Sequence, residues 1–369
     1  MSIYVQGHAL FNYHASCPNR DQDGEPKTVM IGNVERGRIS SQSLKRNWRV
    51  SDLFISEFGE PGTGNTGMRT KEIPCLVFRD LVEGGFDDAA AESWALLIGS
   101  VFGVVEGQKG EKTDLRNATL FFLSPEEKQA LDQFIKTLCR EKRLPPAIKG
   151  KDALEKEAQK IRKEILRSSS RAVDLAMFGR MFASDKSYSV DAAVQVAHAY
   201  TVTPKNYEPD FGTGCDDVKD RGDSKEVRGS GHMFEQGLVA GVFYKYISIN
   251  LTELEKTLGD AELAKRACRV LMQLFLTITP KAKSNSMAHQ SAAFYGRVER
   301  GTQPPRNLSI AFLNPVTGPN ALEESPRRLR ETAQKINKIY GQRYDQMKEF
   351  SITDEDPASL QDLLDLAGM

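Results

Sequence analysis

The stretch L-V-A-G-V-F-Y-K-Y-I-S-I-N-L (238–251) limits the possible folds of this chain more than any other. It is β-branched, aromatic and pleated in pattern, so the fold must contain a sheet that includes it. Residues 3–13 predict a second strand, with Ile3, Val5, Ala9 and Phe11 on one side. Two more strands are predicted at 291–299 and 307–313. A basic helix is expected at about 42–56 and a short one at 190–200. Thr252 and Glu255 have the spacing of a capping box, and Asp260 starts a helix ending near Thr279-Pro280. A long charged helix is expected over 326–349, begun by Ser325-Pro326. Residues 70–168 read as a mostly helical insertion, with Ser124-Pro125-Glu126-Glu127 as one helix start. Strand, helix, strand, long helix, strand, strand is compatible with a ferredoxin-like sheet carrying insertions, an α+β fold.

Charge is distributed unevenly. Lys plus Arg and Asp plus Glu each total 50, so no global field points to nucleic acid or membrane. Yet R-G-R-I-S-S-Q-S-L-K-R-N-W-R (36–49) holds five bases and no acid. Ser40 and Ser41 are good N-caps, Leu44 and Trp48 fall four apart, and Lys45 and Arg49 share a face with Arg46 beside them. Free backbone N–H groups at a helix start attract anions, so this end could hold a phosphate backbone. An N-capped helix with a solvated basic face is the plainer reading of the same residues. Other basic clusters run from Lys136 to Lys151 and Lys281 to Arg306, while the end from Ser351 is acidic.

Five scattered cysteines without a C-x-x-C pair argue for a reducing compartment, and against a disulfide framework or zinc knuckle. His14 and Cys17 have ligand-like spacing but no companion pair. With no signal-like start and no apolar run long enough to span a bilayer, a soluble cytoplasmic protein is expected. Phosphate-binding, dinucleotide, zincin and hydrolase motifs are absent. His198 reads as a core residue on an apolar helix, and His232 as a loop residue without an orienting acid. Asp21 and Asp23 could hold a metal for phosphodiester cleavage, although loop acids more often serve turns. The residues call for no catalytic centre, metal or cofactor.

Six blocks in order carry a resemblance to a known family. C-P-N-R-D followed by G-R-I-S-S-Q-S-L-K-R resembles the CasC-type backbone subunit of the type I-E CRISPR surveillance complex, Cascade, of the RAMP superfamily. The likeness continues at G-M-R-T-K (67–71), A-V-D-L-A-M-F-G-R-M (172–181), V-A-H-A-Y-T (196–201), G-V-F-Y-K-Y-I-S-I-N-L (241–251) and P-K-A-K (280–283). It is weakest in 72–168 and after 315. The resemblance implies a ferredoxin-like (RRM-related) palm, a helical finger insertion and a β-hairpin thumb. Palm segments would be 1–65 and 171–320, the finger 66–170, the thumb loop 202–237 and an acidic-tailed helical segment 321–369. Several copies would line up head to tail on a CRISPR RNA, kinking it at intervals so that guide bases can pair with target DNA. Other Cascade subunits would be partners.

Residue by residue, the resemblance implies guide-backbone contacts from Arg20, Lys27, Arg38, Ser40, Gln42, Lys45, Arg46 and Arg49, and from a loop with Lys281 and Lys283. Met181, Phe211, Thr213 and Met233 match positions flanking the displaced base, or else pack the thumb. The segment between Cys215 and Arg228 is longer and more charged than the family pattern. Holding phosphates and shape while base pairing reads sequence suits a protein that must accept any guide. Two alternatives stay open: a metal-dependent target-RNA endonuclease using Asp21 or Asp23, and a guide-processing endoribonuclease using His14 or His232.

Overall fold

The computed structural model describes residues 1–106, 115–148, 150–167, 170–214 and 232–369. The charged segment 215–228 and Lys149 of the basic cluster lie outside the described residues. Two compact units divide the chain: residues 1–51, 195–250 and 268–369 form the first, and 52–194 with 251–267 the second. Residues 52–65 and 171–194 thus sit with the helical segments, and the C-terminal segment with the sheet.

In the first unit the strands are β1 (Tyr4–Ser16), β2 (Thr28–Ile31), β3 (Val34–Ile39), β4 (Val194–Val196), β5 (Ala199–Thr201), β6 (Asn206–Gly214), β7 (His232–Asn250), β8 (Ala293–Gly301) and β9 (Gln346–Ser351). Their order is β9-β8-β1-β7-β5-β3-β2, with β4 and β6 also paired to β7. The predicted strand 238–251 is the inner part of β7, which runs antiparallel to β1 from Tyr4↔Asn250 to Tyr13↔Gly241. Central position explains why β1 is buried without a break from Val5 to Phe11 instead of alternating. One face carries helix α1 (Ser41–Arg49) and the second half of the helix Ala261–Thr277, where Trp48 meets Phe275 edge-on at 6.4 Å. The other face packs Leu10, Tyr244, Tyr295 and Phe312 against Leu329 of the helix Ala321–Tyr340.

Several polar groups buried on that face form specific pairs, although His8 Nε2 has no partner. Gln6 donates to Glu299 at 2.6 Å, His8 shares a hydrogen bond with Tyr244, and Arg297 bridges Glu299 and Glu349. Arg36, fully buried, donates to the carbonyls of Thr201, Val202, Thr203 and Phe312 at 2.7–3.3 Å. Of the five bases in 36–49, this one holds the fold together and is unavailable to a ligand.

The second unit is mainly helical around Val77, Leu81, Trp94, Ile98, Phe102 and Ile135. The helix Pro125–Glu141 begins at the predicted Ser124, in a complete capping box with Glu127. Glu127 is also ion-paired at 2.6 Å with buried Arg180.

Several expected elements differ. The basic helix stops at Arg49 and a separate helix, Asp52–Phe58, follows, because the Ser51 N–H and hydroxyl both turn back to the Trp48 carbonyl. Residues 190–200 form β4 and β5 rather than a helix; Val194, Val196 and Thr201 are β-branched and the strands pair with β7. The 307–313 strand is instead a single turn, Ser309–Phe312, where Asn307 Oδ1 accepts the Ser309 N–H. The long helix starts earlier, at Ala321, with Pro326 inside it, and ends before Gly341 (φ 80°); 346–351 is edge strand β9. The helix after β7 starts at Leu251, which puts Thr252 inside its first turn rather than at the cap. In the acidic end, Asp354 binds Arg330, Asp365 binds Arg269 and Asp362 caps the helix Leu360–Gly368. Among the described residues no helix is long and apolar enough to cross a membrane.

Candidate nucleic-acid interface

Helix α1 places its polar start beside three other segments. Ser40 is the N-cap, its hydroxyl accepting the Ser43 N–H, and its own N–H donates to Asn19 Oδ1 at 2.8 Å. The Ser41 N–H donates to Nδ1 of His198 at 2.8 Å. His198 is therefore not a core histidine on a helix: it is exposed, in the bend between β4 and β5. The reading failed because V-A-H-A-Y-T alternates with a period of two, which is a strand signal. Partial desolvation against its neighbours, with the charges of Arg38 and Lys27 nearby, holds its imidazole below the usual histidine range. Those two cations are joined by backbone, the Arg38 N–H donating to the Lys27 carbonyl at 2.8 Å. Nε of Arg38 is buried without a hydrogen-bond partner. Asn19, Asn47 and His198 are positioning residues that sequence reasoning missed; none belongs to a motif with chemistry of its own.

Along the helix, Leu44 and Trp48 are buried, which turns the opposite side outward. Gln42 and Arg46 are exposed, Lys45 is half-buried and Arg49 is 9% exposed. Burial lowers the Lys45 ammonium below the usual lysine range. The Lys281 N–H donates to Asn47 Oδ1, while Asn47 Nδ2 donates to the Ser43 carbonyl, so the 280–283 loop is tied to α1. Lys281 is exposed; Lys283 has a left-handed backbone and lies with Arg20 near Cys17, whose thiol burial pushes up. Lys27 and Arg38 thus lie near the start of α1 beside His198, Arg20 and Lys283 lie near Cys17, and the Lys281 backbone is tied to Asn47 further along the helix.

The β6–β7 ribbon rises from the same neighbourhood. Tyr207 Oη donates to Glu25 at 3.0 Å, fixing the ribbon root to the loop that carries Arg20 and Lys27. Gly237 permits this approach, since a Cβ there would collide with Glu25, the Tyr207 ring and Pro26. Further out Thr213 faces Met233, and Phe211 lies two residues along, so all three share one side of the ribbon. Phe211 and Met233 are 64% and 65% exposed, large apolar groups held in solvent. On the reverse side the Phe234 ring lies against Gly212, where a Cβ would occupy the ring's place. Met181 is 91% exposed and belongs to the second unit.

Of the two carboxylates, that of Asp21 serves a turn. Asp21 Oδ1 accepts the N–H groups of Asp23 and Glu25, both at 3.0 Å. His14 bonds to the carbonyls of Ala15 and Ala288. The His232 side chain lies outside the described residues. Chemically, the cluster of cations, with the Gln42 amide and Ser41 hydroxyl at the helix start, can bind oxyanions, while the Ser41 and Ser43 N–H groups are already taken by His198 and Ser40; the ribbon adds apolar wedges.

Residues 5–366 match the family described as CT1975-like protein. Among solved structures, a chain of a "CRISPR RNA-guided surveillance complex, pre-nicking" is 27% identical with a TM-score of 0.79, covering 99% of each chain. A chain of a "CRISPR RNA-guided surveillance complex" shares the fold at 24% identity and TM-score 0.69, again over 99% of both. No curated protein matches.

Proposed function

We propose that this chain, which belongs to the CT1975-like protein family, is a backbone subunit of a CRISPR RNA-guided surveillance complex. We assign it to the type I-E, CasC-like class on the six sequence blocks. Its role is non-catalytic: several copies bind along one CRISPR RNA and hold its phosphates. The observation that carries this reading is the convergence of α1, the 18–27 loop, the 280–283 loop and the ribbon root. Cations gathered along α1 and its neighbouring loops hold phosphates without reading bases, and Phe211 and Met233 offer apolar surface to displace one. The sheet supports a ferredoxin-like palm. In chain order β1, α1, β5, β7, the helix Ala261–Thr277 and β8 alternate as β-α-β-β-α-β, and in space the strands run β8-β1-β7-β5. The ribbon would be the thumb and the second unit the finger.

The test is to express the chain with its neighbouring operon and CRISPR array, purify the particle and run its nucleic acid on a denaturing gel. RNA of uniform length, with several copies of this chain per RNA, is the expected result. Heterogeneous fragments produced only with a divalent metal would replace the reading with a nuclease. A nucleic-acid-free particle would remove it.

A further inference from the structure

Two stretches without an acidic residue, 300–322 and 332–344, come together at the far end of β1 from the α1 cluster. The Asp345 N–H donates to the Arg300 carbonyl at 2.8 Å, and backbone 343–345 crosses so closely over Gly301 that a Cβ there would touch it. The Arg306 N–H donates to Gln6, and the Arg306 guanidinium lies over the Tyr340 ring, 5.3 Å from its centre. Nη1 and Nη2 of Arg306 and Nε of Arg343 are buried with no hydrogen-bond partner. Burial first, then the neighbouring Arg343 charge, lowers the proton affinity of Arg306. Glu299 attracts Arg306, but its oxygens are taken by Gln6 and Arg297 at 2.6 Å. Two like charges thus lie near each other with N–H groups unused, which is unfavourable unless a ligand pairs them.

An oxyanion would satisfy both guanidinium groups at once, and Arg forks suit phosphate. The surroundings favour a nucleic-acid strand. Tyr340 is 68% exposed beside the pair and Ile339 70%, while Lys335 and Lys338 stand exposed on the preceding turns. An open aromatic ring flanked by cations is the arrangement on which single-stranded bases stack. We propose that Arg306, Arg343 and Tyr340 form a second nucleic-acid site, in which the arginines hold a phosphate of a single strand and Tyr340 stacks a base. The site is separate from the α1 cluster and does not rest on the role proposed for that cluster.

The test uses the full chain, freed of nucleic acid, and a short fluorescein-labelled single-stranded oligonucleotide. Wild type, Lys45→Ala/Arg46→Ala, Arg306→Gln/Arg343→Gln and the fourfold variant are compared by anisotropy across salt concentrations and by ultraviolet cross-linking with mass spectrometry. The arginine pair, sharing one phosphate, should lower the salt slope by about 0.7 on a single strand, in both backgrounds. An adduct at Tyr340 should appear in wild type and in Lys45→Ala/Arg46→Ala, and vanish with the arginine variants. Unchanged slope and no Tyr340 adduct overturn the proposal while leaving the α1 reading untouched. So does an arginine variant that loses only self-association, which would assign the pair to an acidic protein surface. If the glutamine variant does not fold, Tyr340→Ala, at an exposed position, decides: loss of affinity supports the site and unchanged binding ends it.

Discussion

Arg36 and Arg38 are two residues apart and do opposite work. Both keep a buried Nε without a partner, but Arg36 points into the sheet and satisfies four carbonyls, whereas Arg38 lies beside the start of α1 near His198. Arg36→Met should cost the first unit about 3 kcal/mol in urea unfolding, because the carbonyls lose donors they cannot replace. Arg38→Met should leave stability within about 0.5 kcal/mol and weaken RNA binding instead. Equal losses of stability in the two variants would contradict this division. His8 offers a second residue-level test. Burial, with Arg297 adding to it, lowers its imidazole to about 3. The unfolded chain then takes up the proton first. Stability present above about pH 6.5 is lost as pH falls towards about 3, at up to 1.4 kcal/mol per unit. His8→Phe also removes an unpaired Nε2, so between pH 6.5 and 4.5 it should lose about 2–3 kcal/mol less than wild type. Parallel losses in urea melts at the two pH values would show that His8 is not the group responsible. The one-letter pattern R-G-R hinted at none of this, since side-chain direction follows from which strand lies alongside.

At the scale of elements, strands and caps were the most legible. β1, β7, β8 and the Ser124 helix start were readable because their signals are local: alternation, β-branching and an S-x-x-E spacing. The segment 190–200 misread although its period of two and β-branched residues agree with the strands it forms, and 307–313 misread because an Asn turn outweighs the preference of a short apolar run. The second unit rests on a pairing no spacing rule reveals. Arg180 and Glu127, 53 residues apart, meet in the interior, and Arg180 also donates to the carbonyls of Phe122, Tyr188 and Arg167. Arg180→Met should destabilise that unit by about 3–5 kcal/mol, because it strands a buried carboxylate. Hydrogen exchange would locate the loss, which should centre on the helix Pro125–Glu141. Protection there equal to wild type would refute the argument.

For the whole molecule, balanced charge conceals segregation. The proposed binding face shows only in the assembled first unit, where segments from 19–49, 198 and 281 are tied together by hydrogen bonds. The structure also changes which double variant is informative. Lys45 and Arg49 share a face by spacing, but Arg49 is buried, so its loss would mix packing with phosphate binding. Lys45→Ala/Arg46→Ala is the cleaner choice, expected to lower the salt slope of RNA binding by about 1.4 without sequence dependence. An unchanged slope would mean that these ammonium and guanidinium groups do not touch phosphate. By itself the sequence determined that a sheet must form, where α1 begins, that a helical insertion interrupts the sheet, and that basic residues gather in 36–49. Periodicity, caps and charge are properties of neighbouring residues, so they survive without a structure. Only the tertiary structure decided which of those bases face solvent, that His198 and Asn47 position the helix and its loop, and that Arg306 lies over Tyr340 with Arg343 nearby. Those facts depend on strands and loops far apart in the chain, whose meeting is set by sheet pairing and packing against a shared core.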